Sequence, residues 1–208
     1  NQMGLMESDL CISVNENDEP VSPVSKKDSH IFSKAAPRGK LHRAFSVFLF
    51  NSENKLLLQQ RAADKITFPE VWTNTCCSHP LVGMIPEEVD SHADILRGQV
   101  DGIKRAAVRK LANELNIAAE DVPVENFRYL TRLHYWAADV ATHGPESPWG
   151  EHEIDYLLFI KLGRRAMETN FMVPNPEEVM DTRWVDWATL QDMMKPEVAR
   201  KTIWREVR

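Results

Sequence analysis

No apolar run in the chain approaches the ~20 residues needed to span a bilayer as a helix. The longest, Tyr156 to Ile160, is strand-sized, so no membrane span is expected. The opening Asn1-Gln2-Met3-Gly4 has neither the basic nor the apolar stretch of a secretory signal. It also lacks an initiator methionine, which suggests a trimmed or partial product. Positive charge is not in excess: the formal net charge is −6 over 208 residues, which gives no support to nucleic-acid binding or a polybasic membrane contact. Cysteine is scarce. Cys11, Cys76 and Cys77 are too few and too oddly placed for a disulfide framework, and adjacent residues bridge only with strain. Free thiols in a reducing compartment are expected, and at least one of them needs a chemical or packing reason to exist.

What is present suits one domain. Hydrophobic residues make up 43% of the chain, enough for a single core. Residues 1–9 are expected to be a flexible lead and 10–208 the domain. Leu10 to Val14, Ala44 to Phe50, Lys55 to Gln60, Val71 to Thr75, Phe127 to Trp136, Ile154 to Leu162 and Arg183 to Asp186 read as strands. Asn51-Ser52-Glu53-Asn54 reads as a hairpin loop. Ile103, Ala107, Leu111 and Leu115 recur every four residues and predict a helix from Asp101 to about Leu115. Trp187 to Met194 is a second, shorter helix, while 81–100 and 137–148 read as loops. Strands that do not alternate strictly with helices predict an α/β domain built on a mixed sheet.

Three features carry chemistry. Glu151-His152-Glu153 opens a strongly apolar strand, and alternation places its two carboxylates on one face. Paired carboxylates need a cation or a shared proton. His30, His42 and His79 have no zinc-finger or H-E-x-x-H spacing, and each alone reads as an ordinary hydrogen-bonded histidine. Gathered by the fold, these five side chains would form a nitrogen and oxygen set for a divalent ion. Cys77 lies two residues before His79 among small polar residues. It reads equally as a buried structural cysteine or as a reactive thiol whose pKa nearby cations or a metal would lower. The stretch alone does not name a reaction.

Several separated motifs resemble type I isopentenyl-diphosphate isomerase in its eukaryotic form. They are Leu41-His42-Arg43-Ala44-Phe45-Ser46, Leu56-Leu57-Leu58-Gln59-Gln60-Arg61, Lys65-Ile66-Thr67-Phe68-Pro69, Thr73-Asn74-Thr75-Cys76-Cys77-Ser78-His79-Pro80 and Trp149-Gly150-Glu151-His152-Glu153-Ile154-Asp155-Tyr156. The resemblance runs from about Leu10 to Trp187 and implies a Nudix-like α/β/α sandwich. It implies that isopentenyl and dimethylallyl diphosphate are interconverted by a 1,3 proton shift in isoprenoid biosynthesis. His30, His42, His79, Glu151 and Glu153 would hold a divalent ion: magnesium, with manganese or zinc as alternatives at the histidines. Cys77 and Glu153 would be the opposed proton acceptor and donor, or the reverse, with Tyr135 assisting Glu153. Lys26, Arg61, Lys65 and Ser78 would meet the diphosphate, with a second magnesium bridging it to Glu114. A monomer in the cytoplasm is expected, with plastid or peroxisome as alternatives and a fused downstream enzyme left open.

Two departures matter. The family's cation-stabilising tryptophan is best matched by Trp204 in Lys201-Thr202-Ile203-Trp204-Arg205, without the usual preceding proline. Relatives continue beyond Arg208, so truncation within the C-terminal part of the domain is expected. The rival enzyme class is a Nudix hydrolase, which carries R-E-x-x-E-E on one helix. Arg109 to Ile117 keeps only Glu114 of those glutamates, and Asn116 stands where glycine is usual. A catalytically silent prenyl-diphosphate-binding domain is the non-enzyme alternative.

Overall fold

Along Ala44 to Phe50 side chains alternate across a strand, and both sides bury apolar groups. Phe45, Val47 and Leu49 enter one core, while Phe48 and Phe50 pack into another. A sheet with two such faces needs cover on both, and that demand sets the layered architecture. The computed structural model describes residues 2–163, 166, 168 and 171–195. Its strands are β1 Leu10–Val14, β2 Pro20–Ser25, β3 His42–Phe50, β4 Leu56–Arg61, β5 Trp72–Thr73, β6 Cys76–Ser78, β7 Arg128–Ala138, β8 Gly150–Lys161 and β9 Val179–Val185. Its helices are α1 Gln2–Ser8, α2 Lys26–His30, α3 His92–Leu96, α4 Asp101–Leu115, α5 Val140–His143 and α6 Trp187–Met193.

The nine strands form one sheet. β3 is antiparallel to β1, β4 and β6, and parallel to β8 from His42↔Glu153 to Phe50↔Lys161. The remaining pairings are antiparallel, so the sheet is mixed. On one face α4 buries Ile103, Ala107, Leu111 and Leu115 completely. Its first residues have no local cap. Asp90, arriving from the preceding loop, accepts from the backbone N–H groups of Gly102 (2.7 Å) and Ile103 (2.9 Å) instead. Asn116 ends the helix at φ 51°, the left-handed conformation that glycine usually supplies and asparagine tolerates. On the other face α6 sets Leu190 and Met193 against Leu56, Leu58, Trp72 and Val185. Among the described residues no helix is long and apolar enough to cross a membrane.

The element pattern differs from the sequence expectation at identifiable places. β2, which contains Pro20 and Pro23, carries no strand expectation. It is an edge strand bonded, among the described residues, only to β1, where a missing N–H need not cost a ladder bond. The strand expected at 71–75 is shortened to β5, which pairs with β4, and a separate strand β6 follows it and pairs with β3. Thr75 spans the gap, its hydroxyl donating to Leu57 O (2.7 Å) and accepting from Leu49 N (2.9 Å). β3 and β4 pair at Phe50↔Leu56, and β6 takes the place beside β3 further on. The cysteine stretch therefore sits in the opening between the two strands. The expected loops hold α3 and α5, capped by the side chains of Ser91 and Asp139 and too short to show a periodicity. β9 begins at Val179 rather than Arg183. Where a flexible lead is expected, Gln2–Ser8 forms α1 and buries Met6.

Candidate active site

Strand register assembles the five candidate ligands. His42 on β3 is the parallel partner of Glu153 on β8, and Glu151 shares the face of Glu153 one alternation earlier. His30 closes α2, and His79 follows β6 directly. Just before Glu151, Gly150 admits a close crossing: a Cβ there would lie 2.5 Å from Ala137 O and from the Phe32 ring. The three imidazole rings stand 4.9–5.0 Å apart. One nitrogen or oxygen from each of the five residues lies within 4.8 Å of all the others, and all five residues are buried.

This donor set fits a divalent cation. His30 Nδ1 is 2.6 Å from Lys26 O and His42 Nδ1 is 2.8 Å from Lys40 O. A carbonyl only accepts, so each Nδ1 carries a hydrogen and each Nε2 is the nitrogen left to ligate. His30 Nε2 lies 2.8 Å from Glu151 Oε2, an approach that requires a proton or a cation between them. His42 Nε2 and Glu151 Oε2 are buried without a hydrogen-bond partner, at about 1–3 kcal/mol for each group so left. Burial and then the charge of His30 hold His42 down at about 3. Burial, His30 and His42 hold His79 well below its usual range, so both stay in the neutral, ligating form. Burial pushes Glu151 up, but His30 and His42 together with its hydrogen bonds outweigh it and hold the carboxyl at about 2.

Glu153, Tyr135 and Cys77 line one cleft beside this cluster. Tyr135 donates its hydroxyl to Glu153 Oε2 at 2.5 Å. Burial, then the charges of Glu151 and Asp155, push Glu153 well above the usual carboxylate range. Burial and Glu153 raise the Tyr135 phenol. Cys77 is half-buried, and its thiol donates to Asn74 Oδ1 (2.7 Å) with the hydroxyls of Thr73 and Ser46 at 3.4 and 3.6 Å. Contrary to the idea that neighbouring cations lower this thiol, burial and then Asp155 push it up to about 12. Cys77 rests as a neutral thiol.

The same cleft is lined by Lys26, Arg61, Lys65, Ser78 and Glu114. The sequence-predicted site residues thus come together, except Trp204, which lies outside the described residues. Arg61 is partly occupied already, Nε donating to Phe68 O (2.9 Å) and Nη2 to Thr67 O (2.8 Å). Lys65 is paired with Glu178, and burial brings its ammonium down to about 8. Burial pushes Glu114 up, but Lys110 (3.1 Å away) and Lys65 outweigh that and hold it at about 2. Sequence reasoning missed Lys110 and Thr67, which also line the cleft, and Ser46, Asp155 and Glu178 around it. Lys110 stands one helical turn before Glu114, and Asp155 continues the alternation of Glu151 and Glu153, so both had a signal. Ser46, Thr67 and Glu178 had no local signal.

A model of the NUDIX domain matches residues 40–204. An isopentenyl-diphosphate delta-isomerase of Gibberella zeae is 50% identical over 184 residues, which cover 88% of this chain and 65% of that protein. One of Schizosaccharomyces pombe is 45% identical over 192 residues, 92% of this chain and 76% of that protein. The chloroplastic isopentenyl-diphosphate Delta-isomerase I of Arabidopsis thaliana is 45% identical over 194 residues, 93% and 60% of the two chains. The chain thus spans between 60% and 76% of these relatives' lengths. Among solved structures, DR0079 from Deinococcus radiodurans shares the fold, with TM-score 0.56 and 16% identity over 95% of this chain and 93% of that one. The chain belongs to the Nudix family and, within it, to the isopentenyl-diphosphate delta-isomerases.

Proposed function

We propose that this chain interconverts isopentenyl and dimethylallyl diphosphate, with Glu153 and Cys77 moving the proton. One observation carries the reading: the Tyr135–Glu153 pair and the Cys77 thiol share a cleft with Lys26, Arg61, Lys65 and Lys110. The cationic groups suit a diphosphate, which needs several charge-assisted donors. Neutral acids beside them suit an alkene, which offers no charge to grip. His30, His42, His79, Glu151 and Glu153 would hold a divalent metal, with magnesium proposed and manganese or zinc as alternatives. Bound there, it would supply a fixed positive charge that orients Glu153 and tunes its proton affinity. A second magnesium is proposed at Glu114.

In the forward direction Glu153, hydrogen-bonded to Tyr135, gives its proton to the terminal carbon. The alkene electron pair forms the new C–H bond and leaves a tertiary carbocation. Cys77, its own proton lost to solvent before substrate fills the cleft, then as thiolate takes a proton from the carbon on the diphosphate side, and the C–H pair becomes the new double bond. In reverse the two residues exchange roles. Ionising a thiol that burial and Asp155 push up carries a free-energy cost at neutral pH. The Ser46 and Thr73 hydroxyls lie beside Sγ, and turning their hydrogens from Asp155 Oδ2 and Asn74 Oδ1 toward the charged sulfur would offset part of that cost. Water must be excluded, because it captures a carbocation. Trp204 is the proposed aromatic partner of that cation, on the family resemblance. Action as a cytoplasmic monomer goes with the proposal, drawn from the same resemblance.

Hydrolysis is disfavoured, since of the glutamates a Nudix hydrolase carries on this helix Arg109 to Ile117 retains only Glu114. Cys77→Ala and Glu153→Gln should each abolish isomerisation while leaving the circular dichroism spectrum unchanged. A retained rate in either variant would refute this acid–base pair.

A further inference from the structure

Between β4 and β5 the chain runs over the cleft as a strap, residues 62–71, that is held at many points. Arg61 donates to the carbonyls of Thr67 (2.8 Å) and Phe68 (2.9 Å). Phe68 N donates to Asp139 Oδ2 at 2.8 Å, while the other oxygen of Asp139 caps α5. His143 Nε2 sits 3.0 Å from Ile66 O, and Lys65 is paired with Glu178. Phe68 and Glu70 adopt φ 49° and 61°, left-handed conformations costing an L residue roughly 1–2 kcal/mol each. Such backbone persists where its surroundings over-determine it.

What this rigidity places is the Thr67 side chain. Thr67 is buried, and its hydroxyl lies 3.2 Å from Glu151 Oε1. A hydroxyl has one hydrogen to give. Given to Oε1, it fixes the plane of the carboxyl group and occupies that oxygen. The other oxygen, Oε2, then faces His30 Nε2 at 2.8 Å and has no hydrogen-bond partner of its own.

We propose that Thr67 is a positioning residue that orients Glu151, so that Oε2 alone is presented to a divalent cation among His30, His42 and His79. The proposal rests on reading this cluster as a metal site. Partners of this kind are worth about 10–100-fold in metal affinity. Thr67→Val keeps the shape and removes the hydroxyl, while Thr67→Ser keeps the hydroxyl and removes the methyl.

The test is cobalt(II) binding by the full chain, read as affinity and as the visible absorption spectrum of the bound ion, neither of which requires turnover. Thr67→Val should lose about tenfold or more in affinity and change the cobalt spectrum, and Thr67→Ser should restore both. Unchanged affinity and spectrum in Thr67→Val would overturn the proposal. So would an equal loss in Thr67→Ser, which would assign the effect to packing of the methyl group. Wild-type protein that takes up no cobalt would overturn the metal reading and the proposal together, a result distinct from wild type and variant binding alike.

Discussion

Replacing Tyr135 with phenylalanine deletes a single hydroxyl and tests the proton-donor end of the site. In the wild type that hydroxyl donates to Glu153 Oε2 at 2.5 Å in a partly buried setting. Hydrogen bonds to charged groups contribute about 1.5–3 kcal/mol, and the oxygen left behind loses its donor. If the bond matters as Glu153 releases and regains its proton, the deficit appears in the barrier to chemistry. About 1.5–3 kcal/mol corresponds to a fall in kcat of roughly 10–150-fold. KM should stay within about twofold, because the groups assigned to the diphosphate are Lys26, Arg61, Lys65 and Lys110, which this substitution leaves in place. Initial rates over a range of isopentenyl diphosphate concentrations, followed by proton NMR, separate the two parameters. An unchanged kcat, or a loss confined to KM, would refute the role given to Tyr135.

Cys76→Ala should discriminate between the adjacent cysteines. Cys76 is fully buried among core residues while Cys77 faces the cleft, so the variant should lower stability by about 1 kcal/mol and keep kcat within about twofold. Abolished turnover in a folded Cys76→Ala protein would move the catalytic thiol to the wrong neighbour. Lys65 supplies a pH dependence: burial lowers its ammonium to about 8, so it is charged below that pH and neutral above. The attraction for diphosphate is therefore present below pH 8 and fades as pH rises through it. The expected kcat/KM falls with a one-proton slope above about pH 8, and Lys65→Arg, which stays charged, should remove that limb. A wild-type profile flat to pH 9.5 would contradict the assignment.

What the sequence made legible follows the range of each physical signal. α4 was readable because Ile103, Ala107, Leu111 and Leu115 repeat along one buried face, and its limits coincide with those expected. β2 was not, because Pro20 and Pro23 signal a turn unless the strand is known to be an edge. α3 and α5 are single turns held by side-chain caps, which leave no period. The pairing of Glu151 with Glu153 came from alternation alone. His30, His42 and His79, by contrast, lie on a helix end, a central strand and a strand exit; the register of β3 with β8 and β6 gathers two of them, and the Ile31–Trp149 bridge brings α2 and His30 to the same end of β8. Family motifs supplied their grouping where spacing could not. Thr67 was invisible because its role depends on where the strap, residues 62–71, meets Glu151 on β8, not on its own neighbours in the chain. The environment of Cys77 was left open for the same reason: Asp155, 78 positions away in sequence, bears on it through the fold.

The claim that a proton is delivered to one end of an alkene and removed from the other is tested most directly in heavy water. The chain, supplied with magnesium and isopentenyl diphosphate in deuterium oxide, should yield dimethylallyl diphosphate carrying deuterium in the methyl group formed at the former terminal carbon. Dimethylallyl diphosphate free of deuterium, or phosphate released with no allylic isomer formed, would contradict it.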